Sequence, residues 1–276
     1  MNNKAYVLTK TKITSGLQCE KKLWFDFHDP EKIEETSTLF AGNRFGEIIR
    51  QYYGEGLDLS NLSSSENIVE QTAKAIQSKD VHIIYEAAFI YKETLVRTDV
   101  LRRKKNGWEI LEAKSSKELK ESHIPDVAIQ SFIVKAGGLN VTGIKLLHVN
   151  NDFVYQGDDN YKDLIKEVDI INEVEEKEKD VENYINQFRS LEKKETACPK
   201  VDIGDHCKKP YPCIYFSRCA SKSSKENFVS YKILPNIGRK KDTKEFIKKN
   251  NIKNIQDIPE NLLNPSQIIV QKAHKE

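Results

Sequence analysis

The sequence predicts an α/β domain, and three stretches carry the prediction. TLVRTDVLRRKKNGWEILEAK, from Thr94 to Lys114, reads as a β-hairpin about Asn106-Gly107. That dipeptide is the strongest short hairpin signal, because both central residues of a type I′ turn need positive φ. VHIIYEAAFIY, just upstream, reads as a further strand. Ile124 to Gly137 reads as a helix closed by Gly137-Gly138 and is followed by the strand-like VTGIKLLHV. The order is therefore helix, three strands, helix, strand.

The remaining elements follow in sequence. Lys12 to Phe27 forms an early element carrying Cys19, Leu23, Trp24 and Phe25. Residues 38 to 53 are helical, with Phe40, Phe45, Ile48 and Ile49 at helical spacing. In NLSSSENIVEQTAKAIQSKD, Ser63 to Ser65 are candidate caps and Ile68, Ala73 and Ile76 one apolar face. VTGIKLLHVNNDFVY is expected to be a strand pair turning near Asn150-Asn151, and residues 161 to 192 one or two long helices. A cysteine loop follows, then a small, mainly helical appendage. The expected domains are 1–222 and 223–276, with no internal repeat.

Composition bounds the function. Lys and Arg number 44 against 42 Asp and Glu, a net charge of +2, which is not the profile of a chain that binds nucleic acid by bulk charge. The balance is uneven, with twelve basic residues against six acidic from Ser221 to Glu276. That stretch is either a surface that tracks phosphates or a solvated lysine-rich face. The sequence has no signal-peptide pattern and no run of 18 apolar residues, so a cytoplasmic location is expected.

The hairpin concentrates chemistry. If Asn106 and Gly107 make the turn, Lys105 pairs with Trp108, and counting outward sets Asp99 opposite Lys114. Glu112 lies two residues from Lys114, on the same face and diagonal to Asp99. A surface hairpin with a cross-strand Asp–Lys pair is the plain alternative, worth a few tenths of a kcal/mol. Against it, the apolar run Trp108, Ile110, Leu111 gives way to the polar SSKELKESHIPD, so the strand delivers its last residues to an open edge. Two crowded carboxylates suit a divalent cation and a lysine suits the attacking water, which is what phosphodiester hydrolysis requires.

Five cysteines supply a second signal: Cys19, Cys198, Cys207, Cys213 and Cys219, the last three spaced C-x5-C-x5-C. Clustered cysteines in a chain without export signals point to metal rather than disulfides. No C-x2-C pair occurs, so zinc is the weaker alternative. His28, His82, His148 and His206 are scattered and read as surface or packed residues. Tyr52, Tyr53, Phe132, Tyr211, Tyr215 and Phe216 are core aromatics or stacking platforms for a single strand.

Asp99 followed by Glu112-Ala113-Lys114 resembles the core motif of PD-(D/E)XK nucleases in their RecB-like branch, and Gln130 in DVAIQSFIVKAGG matches the helical glutamine of that branch. The tyrosine usual four residues on is Val134 here. In AGNRFGEIIRQYY, after Gly42, the position of the branch's early histidine is Gly46. Cys19 in SGLQCEKKLWF, with Cys207, Cys213 and Cys219, is similar to the one-early, three-late layout of the nucleases of CRISPR adaptation and of the AddB type. Together with YEAAFIYKETLVRTDVL, WEILEAKSS and the HC…PYPC…C stretch, the likeness runs from residue 8 to 270. It resembles a bacterial RecB-like family with a domain of unknown function, whose members continue into a DEDD or RNase H-type exonuclease part beyond the point where this chain stops.

The resemblance implies a restriction-endonuclease-like core, a mixed central sheet flanked by helices, with an iron–sulfur region. It implies a Mg²⁺- or Mn²⁺-dependent deoxyribonuclease, an exonuclease on single-stranded or end-containing DNA in repair, recombination or defence. Asp99 and Glu112 would hold the metal, with Glu47 as a candidate third carboxylate. Lys114 would position or help deprotonate the attacking water, and Gln130 would align the site helix or contact the scissile strand. Cys19, Cys207, Cys213 and Cys219 would hold a structural [4Fe–4S] cluster, with Cys198 a free thiol. The missing histidine leaves an alternative, a weak or inactive nucleic-acid-binding module of the same fold that acts with a partner nuclease.

Overall fold

The computed structural model describes residues 8–31, 37–62, 64–158, 160–223, 230–237 and 240–274. The chain divides into two compact units, Met1–Tyr211 and Pro212–Glu276, so the expected boundary after residue 222 falls inside the second. In the first unit the chain runs β1 (Leu8–Thr9), α1 (Lys10–Gln18), α2 (Glu20–His28), α3 (Ser37–Tyr53), β2 (Leu57–Asp58) and α4 (Ser65–Gln77). It continues through β3 (Ile83–Tyr91), β4 (Thr94–Lys104), β5 (Gly107–Lys114), α5 (His123–Ala136), β6 (Val141–Val149), β7 (Ile165–Asp169), α6 (Ile171–Glu178) and α7 (Val181–Arg189).

These strands form one mixed seven-stranded sheet, ordered β2-β3-β4-β5-β6-β7, with β1 also paired to β4. The β3–β4, β4–β5 and β6–β7 pairs are antiparallel; β5 and β6 run parallel, with α5 as the crossover between them. Two sets of apolar residues cover the two faces. Phe45, Ile48 and Ile49 of α3 pack on Tyr85, Val100, Leu111 and Leu147. Residues of α1, α2, α4, α5, α6 and α7 pack on the opposite side with Ile84, Leu101, Ile110 and Leu146. α1 approaches closely: a Cβ at Gly16 would stand 2.7 Å from the Phe188 ring of α7.

The hairpin forms with a different register. Lys104 pairs with Gly107 and Arg103 with Trp108, so Lys105 and Asn106 are the turn and neither has positive φ. Gly107 serves close approach instead, since a Cβ there would meet the Asn140 carbonyl oxygen at 2.5 Å. The turn with two left-handed residues is the preceding one, Lys92 (φ 44°) and Glu93 (φ 55°), between Tyr91 and Thr94. Counted on past its last pair, Val100 and Leu111, this register puts Asp99 level with Glu112, not Lys114. The slip is by two residues, so every side chain keeps its face.

Three further expectations change. The partner of β6 is β7, not the stretch after Asn151; the chain leaves β6, returns to its edge where Asn150 N–H donates to the Leu164 carbonyl (2.7 Å), and pairs Leu146 with Val168. Residues 161 to 192 thus begin with a strand, because an open sheet edge outweighs their helix-like charge pattern. The buried face of α4 is Ile68, Thr72 and Ala75, while Ala73 is exposed. Its cap is Ser64, whose Oγ accepts from Asn67 N–H. The second unit holds α8 (Phe216–Ser223), α9 (Lys241–Lys249) and α10 (Pro265–Ala273). Its own small core is Leu234, Ile247, Ile255, Ile258 and Leu263, and Asn264 and Gln267 form a capping box on α10.

Candidate active site

The site forms where the sheet forks. β4 and β5 pair from Lys104–Gly107 to Val100–Leu111, and then β4 gives its edge to β1 at Thr94 and Leu95. Asp99 sits in the gap. Its carboxylate replaces the missing ladder bond, with Oδ2 accepting from Ala113 N–H at 2.6 Å. Glu112 and Lys114 alternate with Ala113 at the end of β5, so both join Asp99 on one side.

From the helical layer comes a group that no local pattern in the sequence indicated. Lys10, the first residue of α1, donates from Nζ to Glu112 Oε1 and to Gln130 Oε1, both at 2.8 Å, and lies 3.6 Å from Asp126 Oδ2. Lys114 Nζ donates to the same Glu112 Oε1 at 2.7 Å and to Asp126. Asp126 and Gln130 are four apart on α5 and so share a helix face. That spacing was the available signal for Asp126; Lys10 is 102 residues from Glu112 and had none. Both lysines engage one oxygen of Glu112. Its other oxygen, Oε2, is buried without a hydrogen-bond partner, as is Gln130 Nε2.

Burial and the neighbouring Glu112 charge push the Asp99 carboxyl up to about 7. Burial alone would raise Glu112 too, but the ammoniums of Lys10 and Lys114 outweigh it and hold that carboxyl well below its usual range. Burial would lower Lys114; the Glu112 and Asp126 carboxylates overcome it and raise the ammonium well above its usual value. Lys10 is raised in the same way, by Glu112 and Asp126 against its burial. The pair divides sharply: Glu112 is firmly ionised, and Asp99 carries the strain of their proximity.

Asp99, Glu112 and Lys114 line a cavity of about 640 Å³. Its far wall is α3, with Gly42, Asn43, Gly46 and Glu47, and Glu86, Arg50 and Arg97 complete it. Glu86, which no local sequence pattern marks, interrupts the β3–β4 ladder between Tyr85 and Ala87 with a left-handed backbone (φ 57°). Such a conformation costs a non-glycine residue about 1–2 kcal/mol. Burial raises its carboxyl, partly offset by Arg97 and Arg50. Glu47 lines the cavity but is exposed and paired to Arg44 at 2.7 Å, so it does not join the two buried carboxylates. Among the described residues, no group of three or more His, Cys, Asp or Glu side chains is placed to hold a metal ion.

None of the five cysteines is in a disulfide. Cys19 stands between α1 and α2, and Cys207 is buried with Sγ 3.5 Å from His206 Nε2. Gln18 draws their segments together: its amide donates to the carbonyls of His206 (2.8 Å), Tyr211 (2.7 Å) and Lys209 (3.3 Å). α2 adds Trp24 Nε1 to the Thr196 carbonyl at 2.8 Å and His28 Nε2 beside the Leu191 carbonyl at 2.7 Å. Cys213 and Cys219 belong to the second unit, Cys219 on α8. Of the aromatic candidates, Tyr215 is buried and Tyr52, Tyr211 and Phe216 are exposed.

No protein-family model matches the chain, and no curated protein matches it. A solved structure described as "Crystal structure of SSO0001" is similar to it with a TM-score of 0.33 and 14% identity, over 78% of this chain and 86% of that one. Among the described residues no helix is long and apolar enough to cross a membrane.

Proposed function

We propose that the chain is a metal-dependent deoxyribonuclease with a PD-(D/E)XK, RecB-like core. One observation supports this most. Glu112 Oε2 is buried and unpartnered, beside an Asp99 whose carboxyl is pushed up to about 7, on the wall of an open cavity that also holds a lysine ammonium. A fold gains nothing from such an arrangement, whereas a cation would relieve both carboxylates. Mg²⁺ commonly binds through one or two carboxylates and keeps several waters, so Asp99 and Glu112 suffice as its protein ligands. When bound, the cation would polarise the phosphodiester and acidify a water.

The chain's own groups have definite parts. Lys114, whose ammonium is paired with Glu112 and Asp126, orients the attacking water and offsets charge developing on the phosphate. Gln130 is fully buried with Oε1 bonded to Lys10, so it organises the site from behind and does not touch the strand. Arg50 and Arg97 on the cavity wall suit the flanking phosphates of a DNA strand. The iron–sulfur proposal rests on the donor set, four cysteines outside any disulfide, with the Cys19 and Cys207 segments tied by Gln18. No part of the reaction runs through it. A cytoplasmic location and a role in repair, recombination or defence belong to the same proposal.

The test uses anaerobically purified protein with end-labelled linear and circular single-stranded DNA, in Mg²⁺ or Mn²⁺, with an absorbance scan for an iron–sulfur chromophore. Metal-dependent cleavage is expected, lost by a hundredfold or more (about 2.7 kcal/mol or more in the barrier) in Lys114→Ala and Asp99→Ala. Digestion of the linear strand alone makes it an exonuclease. Both variants cutting at the wild-type rate would refute the assignment, and DNA binding without cleavage in the wild type would favour the binding-module alternative.

A further inference from the structure

Lys10 is the one residue of the network that comes from α1; the others lie on the hairpin strands and on α5. Its ammonium is 2.8 Å from Glu112 Oε1 and 3.6 Å from Asp126 Oδ2, held from the other side by Gln130 Oε1 at 2.8 Å. The network is therefore Asp99, Glu112 and Asp126 against Lys10 and Lys114, three negative charges against two positive. Of the other charged groups on the cavity wall, Glu47 pairs with Arg44 and Arg50 with Asp58 at 3.5 Å, while Arg97 and Arg50 offset part of the burial of Glu86. Burial and the neighbouring Lys114 push the His123 imidazole below its usual value. With both site carboxylates ionised, the network carries one net negative charge.

A divalent cation turns that charge to one positive, equal and opposite to one phosphodiester. Without Lys10 the same cation only neutralises the network, and the arriving phosphate meets no net attraction from it, leaving only Arg50 and Arg97 on the wall. We propose that Lys10 is a positioning residue that clamps Glu112 through Oε1 and sets the charge of the cation-loaded site to match a single phosphodiester, at a cost in cation affinity. The inference rests on the nuclease reading above and extends it to α1, an element the hairpin motif does not include.

The test compares the full chain with Lys10→Met, which keeps length and removes charge, and with Lys10→Arg, which keeps charge. Mn²⁺ binding is measured by the electron paramagnetic resonance of free Mn²⁺, independently of turnover, and cleavage of a short single strand gives KM and kcat. Removing a charge this close is expected to tighten Mn²⁺ binding about tenfold, even with water-like screening. It is expected to raise KM for DNA by about the same factor, with a smaller change in kcat. Lys10→Arg should return both toward wild type, whereas a merely structural lysine would move neither in opposite directions. If Lys10→Met does not fold, Lys10→Gln gives the same comparison while still donating to Glu112. Unchanged or weaker Mn²⁺ binding in the uncharged variant overturns the inference. Wild type that binds Mn²⁺ but cuts nothing overturns the nuclease reading instead, and the Mn²⁺ comparison still decides the role of Lys10.

Discussion

Asp99→Asn should make the fold more stable and the protein inactive. The amide keeps the size of the carboxylate and an oxygen for Ala113 N–H, and it removes the charge that burial and Glu112 oppose. The sign follows from linkage. A carboxyl whose folded pKa is raised from 3.8 to about 7 binds its proton more tightly in the folded state. Stability is then fully present below about pH 4 and lost as pH rises through 7. At about 1.36 kcal/mol per pH unit, the ionised side chain costs about 4 kcal/mol at pH 8. Urea unfolding of both proteins without divalent cation, at pH 5 and pH 8, measures it. The variant should be more stable by about 2–4 kcal/mol at pH 8 and by clearly less at pH 5. Added Mn²⁺ should stabilise the wild type and not the variant. A variant destabilised equally at both pH values would refute the argument, because Asp99 would then be an ordinary structural hydrogen-bond acceptor.

Three structural predictions accompany it. Gln18→Ala removes one amide from three carbonyls and should cost about 1–3 kcal/mol. It should also expose the buried Cys207 to alkylation, which mass spectrometry after iodoacetamide treatment would detect; unchanged labelling would mean the loop is held elsewhere. The double change Lys92→Asn, Glu93→Gly relieves two left-handed residues, worth about 1–2 kcal/mol each. It gives up the surface pair of Lys92 with Glu182 and the part-buried pair of Glu93 with Arg189, which contribute less than the relieved backbone. The urea midpoint should therefore rise, and a fall would show those pairs to contribute more. Gly16→Ala drives a methyl toward the Phe188 ring and should lose about 1–3 kcal/mol, part of it recovered by adding Phe188→Leu; an unaltered melting temperature would mean that α1 and α7 can move apart.

What was legible in the sequence depended on how local its cause was. The grouping of Asp99, Glu112 and Lys114 survived a wrong turn and a wrong register, because alternation along a strand has period two and the error was two residues. The turn failed because the dipeptide rule treats glycine as a source of positive φ. At Gly107 the demand is for room beside Asn140, from a strand not yet placed when the hairpin is read. The helices α3 and α5 followed from their own spacing and breakers. β7 did not, since an edge position on β6 gives a charged pentapeptide its strand identity. At the site the same division holds. Asp126 was within reach, one helical turn before Gln130. Glu86 was hidden because a left-handed backbone at a glutamate has no residue signature. Lys10 looks like any surface lysine until β1 lies against β4 and aims α1 at the fork. A motif search therefore finds the two carboxylates and overlooks the lysine bonded to one of them, although all three belong to one charge balance.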